Sequence, residues 1–433
     1  MTTETNVALL GYGTVGAAVD RLLAASAGDI ERATGHRVRV VKALVRDAAK
    51  ERRVADGATI TTDFGEIGDD PSIAVVAEVM GGLEPAGGYV LELLGRGKHV
   101  VTANKQLVAR RAPELFAAAS AGGVQLRFEA SVCAAIPVIK VLRESLVVTN
   151  VHRVLGIVNG TTNFVLTEME AGKTYAEALA DAQARGYAEA DPTDDVSGAD
   201  AAAKMAILAT VAFNTRVPLD DVQYAGITEI DPLDVAAARE LDMVVRLVGA
   251  ARLVDGGYDV RVEPAFVDAQ HPLAKVDGAF NAVMLQGDAI REITLAGPGA
   301  GGTETASAVI ADITSVIGTM GTGFLQNDAA WRDVQRLEPG RSRSPFYFRL
   351  LVADRPGTLA HVAEALARHE VSIARLVQHQ AGSGATLHVV THEAPAGALA
   401  SALGDLGALD EVRRASRPIP VVSDRGVPEL GWA

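Results

Sequence analysis

What most constrains the fold of this chain is a strand, a glycine turn and a helix in direct succession at its start. Residues 6–10 read N-V-A-L-L, residues 11–16 read G-Y-G-T-V-G, and a helical pattern runs from Ala17 to Ala25. In that setting a G-x-G-x-x-G acts as a dinucleotide fingerprint rather than as ordinary turn punctuation. Gly11 makes the tight turn. Gly13 lets the backbone approach a pyrophosphate at the helix N-terminus, and Gly16 lets helix and strand pack closely. Thr14 and Val15, between these glycines, belong to the same cofactor-binding loop.

The segments that follow alternate in the same way. V-R-V-V-K-A-L-V at 38–45 reads as the second strand and runs into Arg46, where an NAD site would carry a carboxylate for the ribose 2′-OH. Arg46, with Arg52 and Arg53 nearby, points to a 2′-phosphate and so to NADP(H). A surface arginine is the plain alternative, and the adjacent Asp47 keeps NAD(H) open. Further strands at 73–79 and 98–103 flank a helix at about 85–95, which predicts a doubly wound α/β domain with a parallel sheet. Met80-Gly81-Gly82 follows one strand and Asn104-Lys105 the next, at the carboxyl ends where such sheets bind ligands.

The character changes over V-Q-L-R-F-E-A-S-V-C-A-A-I-P, 124–137: a strand ending at Glu129, an irregular small-residue segment, then a helix over 137–147. Cys133 has no histidine close in sequence and reads as a small buried thiol. G-I-V-N-G-T-T-N-F-V-L, 156–166, reads as a strand ending at Asn159-Gly160, with Thr161 or Thr162 capping a helix whose amides could hold a carboxylate or a phosphate. After a helix at 174–185 comes R-G-Y-A-E-A-D-P-T-D-D-V-S-G-A-D-A-A-A-K, 185–204, with Glu189, Asp191, Asp194, Asp195, Asp200 and finally Lys204. From Ala199 the pattern becomes a mostly buried helix, which puts Asp200 and Lys204 on one face. An i,i+4 ion pair would explain that lysine. A carboxylate-rich pocket around a partly desolvated amine also suits proton transfer, or binding of an amino acid's ammonium.

Residues 216–300 read as helices and short strands. A second glycine loop, L-A-G-P-G-A-G-G-T-E-T-A at 295–306, opens a helix to about 318. Periodicity fades over 321–345, which reads as a linker. From Pro345 a βαββαβ, ferredoxin-like order follows: a strand, the turn D-R-P-G at 354–357, a helix at 358–369, strands at 371–379 and 385–391, a helix near 396–406 and a strand at 411–421.

Composition narrows the function classes. A net charge of −14 argues against nucleic-acid and anionic-membrane partners, and one cysteine excludes an intrachain disulfide framework or a multi-thiolate metal site. No basic n-region precedes the first strand, and no apolar run approaches the roughly 20 residues of a spanning helix, so the reading is cytoplasmic.

With 11–16, 102–108 (T-A-N-K-Q-L-V), 156–166 and 185–204 in view, the chain resembles the homoserine dehydrogenases over roughly residues 5–320, and its tail resembles an ACT domain. The resemblance implies a Rossmann-type NAD(P)-binding domain over 1–130, an α+β catalytic and dimerisation domain over 131–320, and a ferredoxin-like regulatory domain over 346–424. It implies NAD(P)H-dependent interconversion of L-aspartate 4-semialdehyde and L-homoserine, in the biosynthesis of threonine, methionine and isoleucine. In that reading Lys204 is the catalytic acid/base and Lys105 assists. Glu189, Asp200, Asp194, Asp195 and Thr162 bind substrate or shape its site, and Gly186 and Gly301 join Gly11, Gly13, Thr14, Val15, Gly16, Arg46, Gly81 and Lys105 at the cofactor. A sodium ion would be held by main-chain oxygens of Glu129, Val132, Ala134 and Ile136. Here that segment reads V-C-A-A-I-P where the family usually has several glycines, and the added side chains restrict its backbone. The resemblance also implies a homo-oligomer, dimer or tetramer, with an amino-acid effector such as L-threonine at the tail near Asp354.

The chemistry agrees, because a lysine ammonium can both stabilise a forming alkoxide and protonate it. Two other readings compete. An aspartate-semialdehyde dehydrogenase would use Cys133 as a thioester nucleophile. A non-catalytic amino-acid sensor would carry a vestigial dehydrogenase domain, which leaves both lysines and the acidic loop without a purpose.

Overall fold

The computed structural model describes residues 3–55, 57–254, 256–318, 334–338, 340–381 and 384–422. Of the expected linker, 321–333 and 339 lie outside these, as do residues 382–383 and 423–424 of the expected terminal domain. The chain forms two compact units, each assembled from separated segments. The first takes Met1–Gly160, Asp200–Val222 and Phe280–Val334; the second takes Thr161–Ala199, Gln223–Ala279 and the chain from Gln335 onward.

The first unit is built on six parallel strands in the order β3-β2-β1-β4-β5-β6. They are β1 (Thr3–Leu10), β2 (His36–Leu44), β3 (Thr59–Thr61), β4 (Ile73–Glu78), β5 (His99–Thr102) and β6 (Leu126–Arg127). Apolar runs such as Val7–Leu10 and Val75–Ala77 are buried because helices cover both faces of a parallel sheet. The order reverses between β1 and β4, which opens a crevice at their carboxyl ends. Helix Gly302–Gly318 packs beside helix Thr14–Ala25, and its Ala306, Val309, Ile313 and Val316 share one core with Val7, Leu9 and Val40. Each such valine or isoleucine contributes about 1.5–3 kcal/mol through burial. The same unit holds three antiparallel strands, with Phe280–Gly287 between Val151–Ile157 and Ile290–Pro298, and most of helix Ala199–Phe213.

In the second unit a long hairpin pairs Met243–Val254 with Gly257–Asp268. The terminal module follows the expected βαββαβ order. Its strand Phe346–Ala353 pairs with Gly384–Thr391, which pairs with Ile373–Ala381, under helices Thr358–Ala367 and Ala396–Gly407. The outer edge of strand Gly257–Asp268 is covered by three short parallel pieces from distant parts of the chain: Gln335–Arg336, Gln223–Tyr224 and Ile419–Val422.

Several elements depart from expectation. The strands within 216–300 are not all short, since both hairpin strands have 12 residues. Charged residues broke their apparent apolar pattern; Arg246 is in fact buried against Glu170 and Asp277, and Arg261 pairs with Asp259. The single strand expected at 411–421 is two, Val412–Ala415 and Ile419–Val422. Pro418 lies between them and has no N–H for a ladder. Helix 137–147 is a turn of α-helix, Val138–Lys140, followed by a π-turn, Val141–Ser145. Here the buried Glu129 carboxylate accepts the amides of Ile139 and Lys140, both at 2.8 Å. Neither Thr161 nor Thr162 precedes its helix, which starts at Gly160 and takes both into its first turn. No helix among the described residues is long and apolar enough to cross a membrane.

Candidate active site

Asp200, in the first turn of helix Ala199–Phe213, is 4 % exposed and gathers three donors. Lys204 Nζ lies 2.8 Å from its Oδ2, Lys105 Nζ lies 3.1 Å from its Oδ1, and Asn159 Nδ2 donates to Oδ2 at 2.8 Å. Burial alone would push this carboxyl up, but Lys204 and Lys105 outweigh it and hold it at about 2. The i,i+4 ion pair is therefore real, and it does not account for the second lysine. Lys204 Nζ also donates to the Val158 carbonyl at 2.8 Å. Its position is thus set by its own helix and by the end of strand Val151–Ile157.

Lys105 is placed by a separate network. It is the first residue of helix Lys105–Gly122, whose N-cap Asn104 accepts from Leu107 N and donates to Gly82 O at 2.6 Å. Glu78, at the end of β4, is fully buried. It accepts the amides of Met80 and Gly81 at 2.9 and 3.1 Å and the Thr102 hydroxyl at 2.5 Å. Burial pushes its carboxyl up. The sequence marks Asn104 only together with Lys105 at the carboxyl end of a strand, carries no reading of Glu78, and gives Asn159 no role beyond ending a strand. An acid closing an otherwise apolar strand was the available signal for Glu78.

The fingerprint glycines serve distinct purposes. Gly11 has φ +105°, a conformation that favours glycine. A Cβ on Gly16 would stand 2.3 Å from the Gly11 carbonyl oxygen, whereas one on Gly13 would meet no protein atom within 4 Å. That leaves space over the helix N-terminus for a phosphate. The second glycine loop reaches the same place: a Cβ on Gly302 would be 2.7 Å from Thr14 Cγ2, and Gly301 has φ +134°. Gly81 likewise lies in the left-handed region, with φ +71°. Arg46 is exposed two residues beyond β2, while the Asp47 carboxylate accepts the Ala49 amide at 2.8 Å.

Cys133 is buried, and burial pushes its thiol up to about 11, the opposite of an activated nucleophile. Cys133 and its neighbour Ala134 both have positive φ, +55° and +41°. The loop thus keeps a backbone that glycines would adopt without strain. Close packing around Val132, Cys133 and Ala134, none more than 4 % exposed, holds it there. The Glu129 carboxyl beside it is pushed up to about 7 by burial and by Asp312. Among the described residues no group of three or more His, Cys, Asp or Glu could hold a metal ion. A cation here would rely on carbonyl oxygens of the kind Glu129, Val132, Ala134 and Ile136 present.

The remaining residues anticipated at the substrate lie in the second unit. Thr161 Oγ1 donates to Tyr187 O at 2.6 Å and to Asp195 Oδ2 at 3.1 Å, which ties the acidic loop to helix Gly160–Glu170. Thr162 is buried beside it, Asp195 is half-buried, and Glu189 and Asp194 are exposed. Gly186 has φ +75° in the turn ahead of them.

A glycine-lined dinucleotide crevice, with two lysines converging on one buried carboxylate within the same unit, defines a nicotinamide-dependent oxidoreductase. Family models agree. Homoserine dehydrogenase, NAD binding domain, matches residues 11–129; homoserine dehydrogenase matches 137–314; and ACT domain matches 346–411. The chain is 42 % identical over 430 residues to a homoserine dehydrogenase of Mycobacterium bovis, covering 95 % of this chain and 96 % of that protein. The crystal structure of a homoserine dehydrogenase from Thiobacillus denitrificans superposes with a TM-score of 0.93 at 38 % identity, over 97 % of this chain and 99 % of the other. A hyperthermophilic archaeal homoserine dehydrogenase in complex with NADPH gives 0.62 at 29 % identity, over 72 % of this chain and 98 % of the other. This chain belongs to the homoserine dehydrogenase family.

Proposed function

We propose that the chain reduces L-aspartate 4-semialdehyde to L-homoserine with Lys204 as proton donor. The observation that carries this is the Lys204–Asp200–Lys105 cluster, with ammonium-to-carboxylate distances of 2.8 and 3.1 Å. Bound at the glycine loop, the reduced nicotinamide supplies the hydride. Asp200 holds both amines in place, so Lys204 can stabilise the forming alkoxide and protonate it. Lys105, the more exposed of the two, assists at the cofactor end. Glu189, Asp194, Asp195 and Thr162 form the substrate's polar surroundings. Gly11, Gly13, Thr14, Val15, Gly16, Gly81, Gly186 and Gly301 line the cofactor path, and Arg46 selects NADP(H) by pairing with its 2′-phosphate. A sodium ion on the carbonyls of Glu129, Val132, Ala134 and Ile136 would brace the loop under the site. The left-handed backbone at Cys133 and Ala134 supports that reading.

The functional division follows residues 1–130, 131–320 and 346–424, acting in the cytoplasm as a homo-oligomer, with the terminal module taking an amino-acid effector. The test is NADPH oxidation with L-aspartate 4-semialdehyde. Lys204→Ala should lose about 100-fold or more in kcat while still binding NADPH. Near-normal turnover in that variant would remove Lys204 as the donor.

A further inference from the structure

Within the first unit, the segment 46–55 that carries Arg46 is held at three places. Ahead of it, the Gly11 amide donates to the Leu44 carbonyl at 3.0 Å, which joins the glycine turn to the end of β2. Its middle is folded around Arg52, whose Nη1 donates to the carbonyls of Asp47 and Lys50 at 2.7 and 2.8 Å. Its far end is fastened to the glycine turn itself. The hydroxyl of Tyr12, between Gly11 and Gly13, donates to Asp20 Oδ2 and lies 3.0 Å from the Arg53 carbonyl oxygen. The same Asp20 oxygen accepts the Ala55 amide at 2.8 Å. Tyr12 is 8 % exposed and Asp20 2 %, so water competes little for these bonds. Val54, between the two fastened residues, packs on the core that holds Val7 and Val40.

The dinucleotide fingerprint assigns a purpose to each of its glycines and none to the residue between the first two. Here that residue is a tyrosine, and its hydroxyl acts with a buried aspartate of helix Thr14–Ala25, the helix whose N-terminus faces the pyrophosphate. We propose that Tyr12 and Asp20 are positioning residues for nucleotide choice: they clasp segment 46–55 to the pyrophosphate helix, so that Arg46 meets the 2′-phosphate of NADP(H) at a fixed distance from the glycine turn. The proposal rests on the reading that Arg46 pairs with that phosphate. It adds two side chains that act through Arg46 rather than on the nucleotide.

The physical reason is preorganisation. Residues 46–55 form no helix or strand, and an unbraced segment of that kind loses conformational entropy when it closes on a phosphate. The clasp orders it on folding, so that loss does not fall on binding. Burial and the neighbouring Asp20 push the Tyr12 phenol up, which keeps it a donor at any working pH. A hydroxyl on a carboxylate is also among the stronger hydrogen bonds. The same bracing disposes of the competing carboxylate. Asp47, which an NAD(H) ribose would call on, turns its Oδ1 to the Ala49 amide of its own loop. NADH has no 2′-phosphate and gains nothing from where Arg46 stands, so loosening the clasp should be felt by NADPH alone.

The experiment uses the full-length enzyme. Turnover is followed on NADPH and on NADH with saturating L-aspartate 4-semialdehyde, and adenosine 2′,5′-bisphosphate and AMP serve as competitors that differ only in the 2′-phosphate. Tyr12→Phe removes one oxygen and keeps the ring; Asp20→Asn keeps the shape and removes the charge. Each should raise the KM for NADPH about three- to tenfold and weaken the bisphosphate by a similar factor. The KM for NADH, the affinity for AMP and kcat should stay within about twofold of the parent. In an Arg46→Ala background Tyr12→Phe should add no further selective loss, because the two changes act on one contact. If Asp20→Asn fails to fold, Tyr12→Phe decides alone. Equal rises in KM for both nucleotides would reduce Tyr12 to packing of the glycine turn. Unchanged KM values, or a full further loss in the Arg46→Ala background, would show that Arg46 does not depend on the clasp. Each of these results overturns the proposal, and a selective effect of Arg46→Ala by itself would leave the 2′-phosphate reading standing. A bisphosphate that competes no better than AMP against the parent enzyme would overturn both.

Discussion

Replacing Asp200 by asparagine removes the charge that both lysines share while keeping a group that Asn159 can reach. The magnitude follows from the carboxyl's own displacement. Asp200 is held at about 2 in the folded chain against a usual value of 3.8. At about 1.4 kcal/mol per pH unit, the folded state gains on the order of 2 kcal/mol from this ionised carboxylate at neutral pH. A depressed carboxyl stabilises above its unfolded value and loses that contribution as pH falls toward its folded value, so the window is from about pH 4 down to about pH 2. At pH 3 about half of the stabilisation is already gone. Asp200→Asn should therefore be less stable than the parent by about 2–3 kcal/mol at pH 7, and by about half that at pH 3. Scanning calorimetry at the two pH values, on the transition that abolishes NADPH binding, reads the difference directly. Turnover should fall by about 100-fold or more, because Lys204 loses the partner that fixes it. A destabilisation that is equal at pH 7 and pH 3 would refute the electrostatic account. A variant with parental stability at pH 7 would do so as well.

Other consequences are simpler to measure. Arg46→Ala should raise the KM for NADPH by about tenfold and leave that for NADH nearly unchanged; an equal change in both would dissociate Arg46 from the 2′-phosphate. Gly16→Ala, whose methyl would stand 2.3 Å from the Gly11 carbonyl, should weaken nucleotide binding by tenfold or more in fluorescence titration, and parental affinity would contradict the packing argument. Ala134→Gly relieves a left-handed φ of +41° and should raise stability by about 0.5–1 kcal/mol, after the entropy the glycine adds to the unfolded chain. A lower melting temperature in that variant would mean that the loop is not strained.

The nucleotide-binding half was legible because its information is local. Strand, glycine turn and helix lie within 20 residues, and parallel strands buried on both faces are written as apolar runs. Lys204 and Asp200 were legible for the same reason, as neighbours on one helix face. Their meeting with Lys105 was not, since β5 and helix Ala199–Phe213 are nearly 100 residues apart and no periodicity links them. The long hairpin was obscured by Arg246 and Arg261, whose charges are neutralised by partners that only the fold supplies. The residues 133–134 misled in the other direction. Their side chains argued against a glycine-like loop, yet packing forces that backbone upon them. Glu78 went unnoticed because a buried acid whose work is to orient backbone amides looks, in sequence, like the polar end of a strand.

The patched edge of strand Gly257–Asp268 has a consequence for synthesis. Its protective piece Ile419–Val422 leaves the ribosome about 150 residues after Asp268. At ordinary elongation rates that is a delay of roughly 10–30 s. Throughout it the nascent hairpin presents an apolar strand, with Phe266 and Val267, to whatever strand lies nearby. A transcript cut short before Ile419 would leave that edge open permanently. Its product should therefore burden the folding machinery of a cell well beyond the loss of one terminal module.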